Sequence, residues 1–165
     1  MNVSQFAASQ LGGDFDLVDA VIGGLDDAQY NWTPPGTCNP IARTHAHALT
    51  AVDFFVHMVL QGKPMLWPET AARTGLPENA REIWGTTVQI PLAPMVEYGK
   101  RVREAALAYV GSLTEDELDR EVETFVLGKQ PASFVVTRLL NEHLTGHTGE
   151  MSAVKGMQGL KGLPF

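Results

Sequence analysis

The chain has 165 residues, of which 44% are hydrophobic and 19% are charged, and its formal net charge is −7. This length suits a single domain over residues 1–165, and an acidic balance without a basic patch argues against binding to nucleic acid or to an anionic membrane. No run of about 18 apolar residues predicts a membrane span, and the single cysteine, Cys38, excludes an internal disulfide. Such a chain is expected in the reducing cytoplasm.

Apolar residues at helical spacing predict four long helices. They cover residues 3–25, 40–61, a stretch from about 91–94 to 111, and 133–155. The first has a weak point at Gly12-Gly13, since glycine costs about 1 kcal/mol in a helix interior relative to alanine. The second has a clear start, because Asn39 is a good N-cap and Pro40 suits the first helical position.

The connections between the first three helices contain turn residues. Pro34-Pro35-Gly36 cannot continue a helix, so residues 26–36 are predicted to form a loop. Residues 64–90 are rich in proline and glycine and predict a long irregular connection, with at most a short helix over 78–83. A connection of this length is unusual in a small domain unless it covers a site or crosses one end of a bundle.

The segment before the fourth helix is short. Thr114 and Glu117 form a capping box that opens a helical turn. Residues 122–126 alternate like an extended segment for which the sequence offers no convincing strand partner. The sequence therefore predicts an all-α fold, an antiparallel four-helix bundle with a long crossover connection.

The fourth helix combines histidines with apolar residues on one predicted stripe. Its members are Val136, Leu139, Leu140, His143, His147, Glu150, Met151 and Val154. Two histidines four residues apart on a helix are neighbours, and both rings can reach one metal ion. Pairs at this spacing also arise by chance, so a metal site needs a further ligand from elsewhere in the chain.

The second helix contains the other three histidines. His45 and His47 are two residues apart and point in different directions, so they do not easily serve one site. This helix is apolar on more than one side, and periodicity does not choose between the two. His57 lies about 15 Å beyond His47 along the helix axis, too far to bind the same metal.

Three segments share their order and spacing with a known family. They are Trp32-Thr-Pro-Pro-Gly-Thr-Cys-Asn-Pro-Ile-Ala-Arg-Thr-His-Ala-His47, Leu113-Thr-Glu-Asp-Glu-Leu118, and His143-Leu-Thr-Gly-His-Thr-Gly-Glu-Met151 followed by Lys155-Gly-Met-Gln-Gly-Leu-Lys-Gly-Leu-Pro-Phe165. Together they resemble the DinB family, including its YfiT-like metal-dependent hydrolases and thiol transferases. The resemblance covers nearly the whole chain and implies the DinB-like helical bundle.

The resemblance also implies a metal site. A divalent metal ion would be held by His47, His143 and His147, with one face open for water and substrate. Counting eight residues from Asn39 places His47, rather than His45, at the family's position on the second helix. Three neutral imidazoles suit zinc or nickel first, with iron as an alternative.

Two further residues are candidates for catalysis. Glu150 follows His147 by three residues and could accept a hydrogen bond from a ligand ring or act as a proton acceptor. Arg43, one turn before His47, could bind a substrate carboxylate. The chain departs from the family pattern at Pro40, Arg43 and the additional His45, so a site that uses His45, or a metal-free descendant, stays open.

The ligand set is compatible with several functions. The first hypothesis is a metal-dependent transferase that joins a low-molecular-weight thiol to a small electrophile. The alternatives are a metal-dependent hydrolase or isomerase of a small molecule, and a non-catalytic, stress-related metal-binding bundle. The resemblance also implies a homodimer, for which Trp67 and Trp84 in the long connection would offer apolar surface.

Overall fold

Helices dominate the computed structural model, which describes residues 1–163 and Phe165; Pro164 of the C-terminal motif lies outside the described residues. In chain order the elements are α1 (Val3–Ile22), α2 (Asp27–Tyr30), α3 (Ile41–Asp53) continued by a first π-helical segment (Phe54–Leu60), α4 (Trp67–Thr74), a 3₁₀ helix (Ala80–Gly85), α5 (Leu92–Ser112), α6 (Glu115–Asp119), β1 (Glu121–Glu123), β2 (Lys129–Pro131), α7 (Ala132–Phe134) continued by a second π-helical segment (Val135–Glu142), and α8 (His143–Met157). The prediction of an all-α bundle is confirmed. In the described part of the chain, no helix has the length and apolar character that crossing a membrane requires.

The core lies between the four long helices. In α1 the buried apolar residues recur at spacings of three and four: Leu11, Phe15, Val18, Val21 and Ile22. The helix passes through Gly12-Gly13 without interruption. Its last turn is held by the fourth helix, because the buried ammonium of Lys155 donates to the carbonyls of Val21 and Gly23 at 2.7 and 3.0 Å.

Hydrogen bonds between α3 and α5 give their relative direction. The Asp53 carboxylate accepts a hydrogen bond from the Tyr98 hydroxyl, and the Leu60 carbonyl accepts one from the Tyr109 hydroxyl. Residue numbers therefore increase in the same direction along both helices. Two consecutive helices that run parallel need a crossover between them, and residues 61–91 supply it. The predicted crossover is thus present, although α3 and α5 are a parallel pair rather than an antiparallel one.

The crossover contains more helix than predicted. The 3₁₀ helix lies close to the predicted turn, but α4 was not expected. Asp53 is fully buried and accepts from the backbone N–H groups of Leu66 and Trp67 at the start of α4. This cap comes from a residue on another helix, which a local capping pattern cannot reveal.

Two helix starts differ from the prediction. Asp26 and Gln29 form a capping box that opens α2 inside the predicted loop. Asn39 is not the N-cap of α3. Pro40 occupies that position with an extended ψ of 150°, and its carbonyl accepts from the Thr44 N–H at 3.2 Å. Because the Pro40 backbone stays extended, the helix begins one residue later and has no side-chain cap.

The predicted extended segment has a partner after all. β1 pairs with β2 in an antiparallel ladder that places Val122 opposite Gln130. α6 begins at the predicted capping box on Thr114. Strands of three residues that include Lys129 and Pro131 lack the apolar alternation from which pairing is usually recognised.

Candidate metal centre

Three histidine rings meet between α3 and α8. His47 Nε2 lies 3.2 Å from His143 Nε2, and His147 Nε2 lies 3.1 Å from the same atom. Nitrogen ligands of a tetrahedral zinc ion are about 3.3 Å apart, given Zn–N distances of about 2.0–2.1 Å. The three residues could therefore hold a metal ion. Among the described residues, no carboxylate or thiol joins them in a cluster of ligand atoms within 4.8 Å of one another.

The fourth helix presents these rings in a different way from the predicted stripe. Leu140 and Leu144 are buried, whereas His143 and His147 are half-buried and Glu150 is exposed. The second π-helical segment ends directly before His143, and its i→i+5 turns rotate α8 relative to a continuous α-helix. The histidines thus lie at the edge of the buried face and are partly exposed to solvent.

Burial keeps two of the three rings in the neutral form that metal ligation requires. Burial, followed by the neighbouring imidazoles of His143 and His147, lowers the pKa of His47 from 6.5 to about 4. For His143, burial and the neighbouring His147 lower the pKa to about 4, although Glu150 acts in the opposite direction. Neutral rings have a free lone pair for a metal near neutral pH.

The outer nitrogens of the rings differ in their partners. His147 Nδ1 lies 2.7 Å from Glu150 Oε2, so Glu150 can orient this ring and fix its tautomer. The buried His143 Nδ1 has no hydrogen-bond partner among the described residues. The predicted contact of Glu150 with a ligand ring is therefore present in the structure.

His45 lies on another side of α3. Its ring is buried, with Nδ1 2.8 Å from the Tyr30 hydroxyl, and it lines a cavity of about 310 Å³ between α1, α3 and α5. His57 is also remote from the three rings, because its Nδ1 lies 2.6 Å from Asp53 Oδ1. Of the three histidines in the second helix, only His47 therefore lies next to His143.

The crossover contributes a residue that the sequence did not identify. The Trp84 ring packs against the His47 ring at a tilt of 39°, with centroids 4.4 Å apart. Arg43 Nη1 donates to the Trp84 carbonyl at 3.4 Å, so Arg43 lies beside the histidines and also holds the 3₁₀ helix. Only the presence of tryptophan in a long connection hinted at this role.

We expect the metal-free protein to lose stability as the pH falls below 6.5. Burial lowers the pKa of His45 to about 4, as it does for His47 and His143. Between pH 6.5 and 4 the unfolded chain therefore binds more protons than the folded chain, and the free energy of unfolding decreases with decreasing pH. Each group contributes up to about 1.4 kcal/mol per pH unit. Urea unfolding at pH 7, 6 and 5 measures this; equal midpoints would contradict it.

The comparisons with known proteins agree with this architecture. The sequence model of the DinB superfamily matches residues 10–151, which include all three histidines. A crystal structure of a conserved protein from Enterococcus faecalis has the same fold, with a TM-score of 0.78 and 13% identity over 94% of this chain and 96% of that chain. No curated protein matches the chain. Since the family match spans most of its length, the chain belongs to the DinB superfamily.

Proposed function

We propose that the protein is a metal-dependent transferase that joins a low-molecular-weight thiol to a small electrophile. This proposal rests on the position of a positively charged side chain, the guanidinium of Arg43, beside the three histidines. Arg43 lies one turn before His47, donates to the Trp84 carbonyl, and has no other partner among residues 1–163 and Phe165. Its remaining N–H groups can bind a carboxylate of the thiol.

Four residues would hold and orient the metal ion in this reaction. A divalent ion such as zinc or nickel, with iron as the alternative, would favour the thiolate over the thiol at neutral pH. His47, His143 and His147 would hold the ion, and Glu150 would orient His147. The thiol sulfur attacks the electrophilic carbon and forms a C–S bond, while the leaving group departs with its bonding electron pair and the thiol proton passes to a solvent base.

Hydrolysis or isomerisation at the same ion is the alternative. Hydrolysis would benefit from a carboxylate base that faces the open side of the centre. The carboxylate nearest the rings, Glu150, is bound to the outer nitrogen of His147, and no described carboxylate belongs to the histidine cluster. This arrangement supports the transferase, because a thiol brings its own nucleophile.

We also propose that the protein forms a homodimer. The support for this proposal is the family resemblance, because the two tryptophans contribute less exposed surface than expected. The expected apolar surface is smaller than the sequence suggested. Trp67 is 1% exposed, its indole N–H donates to the Pro77 carbonyl, and its ring packs on Tyr98. Trp84 packs on His47. Light scattering at micromolar concentration should give about twice the chain mass.

The transferase assay separates the proposal from the alternative. Conjugation of 1-chloro-2,4-dinitrobenzene should require both bound zinc and an added thiol. With 3-mercaptopropionate, Arg43→Ala should raise the KM for the thiol at least about tenfold and lower kcat less, because the arginine binds the carboxylate before the reaction. With 2-mercaptoethanol, which has no carboxylate, the same substitution should change KM by less than about twofold.

Arg81→Ala is the matched control, since Arg81 is an exposed arginine on the 3₁₀ helix next to the site. It should leave both KM values unchanged. Metal-loaded protein that neither binds thiols nor accelerates conjugation, yet hydrolyses esters or amides without thiol, would overturn the transferase and favour the hydrolase.

A further inference from the structure

One stripe of α3 and the first π-helical segment is partly exposed, while the rest of both is buried. The residues of 41–60 that are not buried are Arg43, His47, Ala51, Phe54 and Met58. They recur every three or four residues and therefore share one face. The stripe passes through the candidate metal centre at His47, and from His47 to Phe54 it covers two turns, a distance of about 10 Å. Beyond the histidine, its side chains are all apolar.

The fourth helix supplies the opposite wall. His47 meets His143, and the two π-helical segments also contact each other, so these helices run antiparallel. Leu139, one turn before His143, therefore lies level with Ala51, one turn after His47. Leu139 is half-buried, and Ala51 has only a methyl group. The space beside the histidines is thus bordered by apolar groups on both helices.

The β1–β2 hairpin contacts the stripe at Phe54. Its loop contains Phe125, Val126 and Leu127, which are 63%, 62% and 52% exposed. Phe125 has a φ of 61°, which is uncommon for a bulky residue, and its ring centroid lies 6.2 Å from that of Phe54. The backbone is therefore strained at Phe125, the residue whose ring contacts Phe54.

We propose that Ala51, Phe54, Leu139 and Phe125 bind the apolar body of the electrophile. This inference rests on the proposed function and deepens it. The reacting carbon would lie at the three histidines, and an aromatic or alkyl group would extend along the stripe beneath Phe125. The length of about 10 Å fits a two-ring molecule. The occupant is a small organic molecule because the apolar residues follow directly on the metal ligands and the hairpin contacts them at Phe54, only about 10 Å from His47.

A binding experiment tests this without catalysis. The probe is N-phenyl-1-naphthylamine, which is uncharged and becomes fluorescent in apolar surroundings. It should bind the zinc-loaded protein, and cobalt in place of zinc should quench it, because the dye lies next to the ion. Phe125→Gly should weaken binding at least about tenfold through loss of the ring contact. Glycine accepts the positive φ, so this variant should fold normally.

Two further variants sharpen the result. Ala51→Phe should fill the stripe and abolish dye binding, while zinc binding is retained. Phe6→Ser removes a phenylalanine of similar exposure, 52%, on α1 and should leave dye binding unchanged. In the conjugation assay, Phe125→Gly should lower kcat/KM about tenfold for the two-ring electrophile 4-(bromomethyl)biphenyl and much less for the small polar electrophile iodoacetamide.

The outcomes distinguish the two proposals. Dye binding that cobalt quenches and Phe125→Gly weakens, without conjugation of any electrophile, would overturn the transferase and leave the stripe as a ligand site. Conjugation with unchanged dye binding in Phe125→Gly and Ala51→Phe would overturn the stripe alone. A dimer that Phe125→Gly converts to a monomer, with dye binding unchanged, would assign the hairpin to contact between copies and also overturn it.

Discussion

Substituting His143 with Ala should lower the affinity for zinc by at least about 100-fold. Its Nε2 is the central nitrogen of the cluster, 3.2 Å from His47 Nε2 and 3.1 Å from His147 Nε2. Two remaining imidazoles leave a divalent ion with an incomplete ligand set, and losing even an outer hydrogen-bond partner of a ligand typically costs 10–100-fold. Competition titration against a chromophoric chelator measures the affinity, and circular dichroism checks the fold.

Other substitutions give this measurement its controls. His57→Asn removes an imidazole that contacts Asp53 rather than the cluster, and it should retain zinc. Glu150→Gln should reduce the affinity less than His143→Ala, because Glu150 contacts only the outer nitrogen of His147. An equal loss of zinc in His45→Ala and His143→Ala would show that the ligand assignment is wrong.

Replacing Asp53 with Ala should lower the free energy of unfolding by about 3–5 kcal/mol, which corresponds to a fall of roughly 10 °C or more in Tm for a chain of this size. The carboxylate is fully buried. It accepts hydrogen bonds from Tyr98 at 2.7 Å and from the Leu66 and Trp67 N–H groups at 2.9 Å, and it contacts His57. Alanine would leave these donors buried without an acceptor.

An exposed carboxylate provides the matched control. Glu97 pairs with Arg73, but both side chains are about half exposed and their ion pair is screened by solvent, so Glu97→Ala should leave the free energy of unfolding nearly unchanged. Asp53→Asn, which keeps the volume and one acceptor oxygen, should fall between the two. Urea unfolding of the three variants would contradict this account if Asp53→Ala and Glu97→Ala had the same midpoint.

The chain's local patterns were sufficient for the long helices and for two of the three candidate metal ligands. Apolar spacing over α1, α5 and the fourth helix predicts their extent to within a few residues, because each has a polar side that defines its buried side. The four-residue spacing of His143 and His147 brings them together wherever the helix lies. Long helices joined by a proline-rich connection likewise predicted the crossover.

Which ligand α3 contributes was decided by the tertiary structure. α3 is buried on nearly all sides, so hydrophobic periodicity does not distinguish the direction of His45 from that of His47. Packing distinguishes them, because His45 contacts Tyr30 on one side of α3, whereas His47 contacts His143 on the other. The family resemblance selected His47 before the structure, by position in a motif rather than by physics.

Contacts between residues distant in the chain place the aromatic residues around the centre. Trp84 reaches His47 only because the crossover folds back over α3, and Phe125 reaches Phe54 only because β1 finds β2. Asp53 caps α4 from another helix, a contact that also depends on the path of the crossover. Sequence spacing determines which residues share a helix face, whereas the neighbour of that face depends on how the helices pack, which no local pattern encodes.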